Sequence, residues 1–293
     1  MKALILTTIM ILTNTSFAKT KVITSTTTLK SLTEVVGGDL VEVTSIARAV
    51  EDPHFVEVRP SFIMQISSAK LYVSTGMSLD IWAKPLIENA RNLSLVVVNA
   101  SQGIHALEIP TEKLTAQLGD VHPEGNPHYW VDPYNVPIML KNILSGLSKV
   151  DPEHQSSFEK NAEEFLGKLK NADQDWQKRR DPFKASKIAV YHASWNYFAD
   201  HFHLNMIAEV EPKPGINPSG SHTAEVIQLI KREHIPVIIQ EPYYSTSTTQ
   251  MISEKTGAKL LKLSQMVGGS DNTGDYFSLI ENMVKQFEDA VKK

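Results

Sequence analysis

The chain of 293 residues contains no cysteine. That excludes disulfide staples, thiolate metal sites and a lipidated cysteine, so any metal must be held by nitrogen or oxygen. A basic block is also lacking: the formal charge is −4, which leaves nucleic acid no electrostatic footprint. No apolar run reaches the roughly 18–20 residues of a spanning helix, and no membrane anchor is expected on the mature protein. HExxH, GxSxG and Walker sequences are missing, so hydrolase and nucleotide chemistry lack their usual residues. With 42% hydrophobic and 21% charged residues, the chain still has the composition of a globular protein.

What is present begins with Lys2, the apolar stretch ALILTTIMIL and small residues at Ser16 and Ala18. This reads as a signal peptide over residues 1–18, with the mature chain starting at Lys19 and a periplasm-like destination. Beyond it, short apolar strands alternate with amphipathic helices, the pattern of parallel sheets covered on both faces. Strands are expected near 21–24, 41–47, 70–76 and 93–99, and again near 187–193, 205–210, 236–242 and 258–264. Between the two sets lies DPEHQSSFEKNAEEFLGKLKNADQDWQKRRD, with Asp151 suited to capping and Pro152 to the first turn. Phe158, Ala162, Phe165, Leu169 and Trp176 form its helical stripe. The predicted fold is therefore α/β: a lobe over 19–150, a long rigid linking helix over 151–181, and a second lobe over 182–293. A helix of this length spans roughly 40 Å.

Ligands of such sheets sit beyond the carboxyl ends of the strands, and a cleft between lobes multiplies those ends. Four residues fall there: His54 in EDPHFVEVRPS, His128 in GNPHYWVDP, His192 in AVYHASW and Glu241 in VIIQEP. Imidazole and carboxylate are the zinc ligands that remain when cysteine is absent. The wide spacing suits a site assembled from several loops. A lone histidine at a strand end, however, more often hydrogen-bonds than ligates, and His201 and His222 are read that way. His105 and His122 flank the same loop as His128 and stay open as helpers. Aromatic residues beside the candidates, among them Tyr129, Trp130, Trp195, Tyr197, Tyr243 and Tyr244, fit either a sugar-binding cleft or a wall that excludes water. A zinc hydrolase with Glu57 or Glu241 as base, or an adhesin on the same scaffold, are the alternative functions.

Taken in order, EDPHFVEVRPS, DVHPEGNPHYWVDP, AVYHASWNYF, EPKPG and IIQEP resemble the periplasmic metal-binding proteins of zinc and manganese ABC transporters. The resemblance runs from about Lys21 to the C-terminus. It implies two α/β lobes joined by one long helix, metal in the cleft, and capture and delivery to an inner-membrane ABC permease without catalysis. It assigns His54, His128 and His192 as ligands. A histidine at the third position resembles the zinc-type members, so Zn2+ is expected ahead of Mn2+. The family's usual aspartate is missing from LSQMVGGSDNTGDYF, where Gln265 stands in register. Glu241 is the preferred fourth ligand, with Asp271, Gln265 or water as alternatives. The expected protein is a monomer whose lobes move little and whose affinity falls below about pH 6 as imidazoles protonate.

Overall fold

The computed structural model describes residues 18–111, 115, 121–183 and 185–291. The predicted signal peptide, Ala18 apart, lies outside them. Strands β1 (Thr20–Thr24), β2 (Val41–Ser45), β3 (Leu71–Ser74) and β4 (Val96–Asn99) form one parallel sheet in the order β2-β1-β3-β4. Strands β5 (Lys187–Val190), β6 (Asn205–Glu209), β7 (Val237–Gln240) and β8 (Lys259–Lys262) form a second, in the order β6-β5-β7-β8. The central strands are buried on both faces, as VIT in β1 and VII in β7 require.

Helices α1 (Thr27–Gly37), α2 (Pro60–Ser67), α3 (Ala83–Ala90) and α4 (Val136–Val150) cover the first sheet. Helices α6 (Asn196–Phe202), α7 (Gly220–Glu233), α8 (Ser247–Thr256) and α9 (Tyr276–Val291) belong to the second half. Helix α3 starts later than the expected Leu79. Met77 and Ser78 adopt left-handed backbone, and the buried Asp80 carboxylate accepts from the amides of Thr75 and Gly76, which holds a turn there instead. No helix among the described residues is long and apolar enough to cross a membrane.

The linking helix α5 (Gln155–Arg179) follows a short 3-10 turn at Pro152–His154. Asp151 does not cap it as expected; its carboxylate instead holds His154 Nδ1 at 2.8 and 2.9 Å. The predicted stripe is the buried face: Phe158, Ala162, Phe165, Leu169 and Trp176 all lie inside. They join one continuous core that includes Val22 and Leu71 from the first sheet, Ile188 and Val237 from the second, and Phe287 on α9. Arg179 adds ion pairs to Glu281 at 2.7 Å and Glu288 at 2.8 Å on α9. The linker is thus packed into both halves along its length.

His201, read from sequence as an ordinary hydrogen-bonding residue, is a buried tie between three segments. Its Nδ1 lies 2.8 Å from Asp132, four residues beyond His128, and its Nε2 lies 2.7 Å from Asp173 on α5. The two carboxylates flank the ring, and the Gln177 side-chain amide also lies 2.8 Å from Nε2. Burial opposes the charge, but Asp132 and Asp173 outweigh it and raise the pKa above the ordinary value. A histidine raised on folding stabilises the fold while protonated, and that stabilisation is lost as pH rises through the folded value. Replacing His201 by Gln should cost about 3 kcal/mol near pH 6, in the range for breaking a buried pair. The deficit should shrink at pH 9; thermal melts across that range check it, and a pH-independent deficit refutes it.

Candidate metal site

The three predicted histidines converge. His54 follows β2, His128 precedes the 3-10 turn Tyr129–Val131 ahead of α4, and His192 follows β5. Each offers a ring nitrogen, and the three nitrogens lie within 4.8 Å of one another. Ring centres are separated by 5.1 Å (His54–His128), 5.4 Å (His54–His192) and 5.3 Å (His128–His192). Imidazoles bound to a tetrahedral zinc at about 2.0–2.1 Å place their ring centres roughly 5 Å apart. All three side chains are buried.

Each ring is oriented from behind through Nδ1. Asp52 Oδ1 lies 2.7 Å from the Nδ1 of His54 and also accepts its backbone N–H at 3.0 Å. Asn126 Oδ1 repeats both contacts with His128, each at 3.0 Å. Glu211 Oε2 lies 2.6 Å from His192 Nδ1. An acceptor at Nδ1 fixes the proton there and leaves the Nε2 lone pair for a metal. The Nε2 atoms of His54 and His128 are indeed buried without a hydrogen-bond partner. Buried nitrogens left this way are costly unless something binds them, so the residues present fit a cation.

The electrostatics differ among the converging histidines. Burial, with His54, His192 and His122 nearby, holds His128 well below the ordinary imidazole range, so it stays neutral. Burial also pushes His192 down, but Glu211 and Glu241 outweigh it and raise the net value. Burial would raise Asp52, yet the bonds from His54 and Tyr244 hold its carboxyl below the usual value.

Glu241 is fully buried but does not join the close group of three. Its Oε1 accepts from Trp195 Nε1 at 2.9 Å and from the Ser194 hydroxyl, while Oε2 has no hydrogen-bond partner. Burial pushes its carboxyl up to about 7. Gln265 is also buried: its Nε2 donates to the Ser194 carbonyl at 2.8 Å, and its Oε1 has no hydrogen-bond partner. Asp271 is exposed on a turn, and His105 and Glu57 are also exposed. His122 is buried with its ring centre 5.2 Å from that of His54. It lines a cavity of about 200 Å³ shared with His128, His192, Glu108 and Glu209.

Tyr129, Trp130, Trp195 and Tyr197 are packed inside rather than displayed, so they form a wall and not a sugar platform. Trp130 Nε1 donates to the Gln265 carbonyl at 2.8 Å, and Tyr197 Oη donates to the Asn126 carbonyl at 2.9 Å. Asp52, Asn126 and Glu211 were not singled out from sequence. A signal for two of them was there, because Asp52-Pro53-His54 and Asn126-Pro127-His128 share one tripeptide pattern. Glu211 carried no such mark.

Comparison with known proteins gives the same picture. Residues 22–290 match the family model described as ZnuA, zinc-uptake complex component A, periplasmic. The iron-binding protein YfeA of Yersinia pestis is 27% identical over 277 residues, covering 91% of this chain and 84% of that protein. A crystal structure of ZnuA superposes with a TM-score of 0.82 at 24% identity, covering 94% of this chain and all of that one. The solute-binding protein FpvC of Pseudomonas aeruginosa in complex with Mn2+ superposes with a TM-score of 0.79 at 23% identity, over 94% and 98% of the two chains. The latter two establish the fold alone.

Replacing Glu211 by Gln keeps an acceptor near His192 but removes its charge. Zinc binding by this variant should weaken about tenfold, within the range for partners that orient a ligand. His192 should titrate at a lower pH, followed by imidazole NMR; an unchanged affinity and titration would refute the role.

Proposed function

As a member of the family of periplasmic zinc-uptake components, the chain is a non-catalytic solute-binding protein that delivers a divalent transition metal to an ABC permease, and we propose that its cargo is zinc, held by His54, His128 and His192. The observation that supports this reading most directly is the set of three buried imidazoles, each fixed at Nδ1 and facing its neighbours at ring-centre distances suited to a tetrahedral ion. Three nitrogens favour a borderline ion such as zinc over the harder manganese. The relative that binds iron and the structure holding Mn2+ make the choice of ion a question for measurement.

Glu241 is proposed as the fourth ligand, with its partnerless Oε2 as the donor atom. To ligate, this oxygen has to swing toward the group of three; otherwise Glu241 supplies charge to His192 from behind. Gln265 Oε1 is the competing donor. Zinc titrations of Glu241→Gln and Gln265→Ala separate them: loss confined to the second variant removes Glu241 from the coordination sphere.

Capture requires deprotonated imidazoles, so protons and zinc compete. His128 is already neutral, whereas His192, raised by its two carboxylates, must release a proton. Affinity should therefore fall as pH is lowered through the imidazole range, with protons released on binding. Calorimetry in buffers of different ionisation enthalpy measures both. His54→Ala, His128→Ala and His192→Ala should each lower zinc affinity at least a hundredfold. Wild-type protein should gain about 2.7 kcal/mol of stability when free zinc is a hundred times Kd, and lose it on chelation. Full zinc affinity in His192→Ala would overturn the proposed ligand set.

A further inference from the structure

The two histidines of the first half are held by groups that the second half holds in turn. Asp52 lies on the loop after β2. Its Oδ1 fixes both the backbone and the ring of His54, at 3.0 and 2.7 Å, and its Oδ2 accepts the Tyr244 hydroxyl at 3.1 Å. Tyr244 comes from the loop after β7, 192 residues away in sequence and three residues beyond Glu241. Its ring packs tilted against Tyr191 (4.7 Å) and edge-on against Tyr243 (4.8 Å), and its backbone N–H is tied to the Glu241 carbonyl at 3.3 Å. The hydroxyl is therefore placed by the second half and delivered to a carboxylate of the first. Asn126 behaves alike: while it orients His128, its Nδ2 donates to the Ala193 carbonyl at 2.6 Å, beside His192.

A carboxylate anchored at both oxygens cannot rotate about its own axis. With Oδ2 taken by Tyr244, Oδ1 stays on Nδ1 of His54, and Nε2 stays aimed at the other two rings. If the halves separate at this edge, the Tyr244 contact is among the first lost, because it is a single side-chain bond across the divide. Asp52 can then turn, and the ring of His54 loses its fixed tautomer and direction.

We infer that Tyr244 is a positioning residue that makes the readiness of His54 to bind metal conditional on the closed arrangement of the two halves. A receptor that pulls on the Pro242–Ser245 loop loosens a ligand on the opposite half without touching it. This rests on the proposed ligand set, and it adds a route by which release is controlled.

The test is a double-mutant cycle in the full mature protein with zinc as the probe. Tyr244→Phe keeps the packed ring and removes only the hydroxyl. Zinc affinity by chelator competition and zinc release by stopped flow are measured for wild type, Tyr244→Phe, Asp52→Ala and the double variant, with His54→Ala as reference. Tyr244→Phe should bind zinc about tenfold more weakly, mainly through faster release, within the 10–100-fold range for such partners. The same substitution should have no further effect in the Asp52→Ala background. In the zinc-free protein, 15N shifts of the His54 ring should move from one tautomer toward a mixture. Wild-type affinity and release in Tyr244→Phe would overturn the inference, as would equal losses in both backgrounds, which would make Tyr244 only part of the wall. If His54→Ala itself keeps full zinc affinity, the ligand set fails first. If His54→Ala loses zinc and Tyr244→Phe does not, only the coupling fails.

Discussion

Everything at the metal site depends on the two sheets sharing one apolar core. In many two-lobed binding proteins a flexible crossing lets each half keep its own interior. Here Phe158, Phe165, Leu169 and Trp176 of the linking helix are packed between them, and α9 is clamped to the same helix through Arg179. Separating the halves would expose that continuous apolar surface, and interiors packed to crystal-like density do not deform gradually. The loops carrying His54, His128 and His192 are therefore held near their final separation by material far from them. This shared packing is the physical ground on which a small lobe motion is expected.

Within that frame, the same small device presents two of the three converging histidines. An Asx side chain accepts the amide N–H of the histidine two residues on, a turn that the intervening proline favours by fixing its own backbone angle. The same oxygen then reaches the ring. Backbone and side chain of one histidine are thus set by one atom, first in Asp52-Pro53-His54 and again in Asn126-Pro127-His128. The two copies differ by one charge. Asp52 brings a carboxylate and Asn126 a neutral amide, so the site gains directional hold on His128 without adding another buried negative group beside Glu211 and Glu241.

Much of this was legible in the residues. The eight strands among the described residues fall where short apolar runs sit between turn residues, and α5 follows its stripe of aromatic and aliphatic positions because both are local patterns. The three histidines that converge could be picked out because strand ends in open α/β sheets are where ligands gather. What could not be read depends on distances between segments remote in sequence. Nothing near Glu211 says that it backs His192, and nothing near His201 says that Asp132 and Asp173 will face its two nitrogens. Glu241 shows the same limit from the other side: its strand-end position was foreseen, while its engagement by Ser194 and Trp195 was not. The late start of α3 was missed because left-handed backbone at Met77 and Ser78 leaves no mark in residue type.

Trp130 has an optical consequence. Zinc has a filled d shell and no colour of its own, so its arrival is silent to ordinary spectroscopy. Trp130 sits with its ring centre 5.4 Å from that of His128, sealed from solvent, with its N–H fixed on the Gln265 carbonyl of the other half. The emission of an indole so placed is open to the charge on the neighbouring imidazole. The chain thus carries a native fluorophore beside one of the converging histidines and tied to the other half, with no label attached.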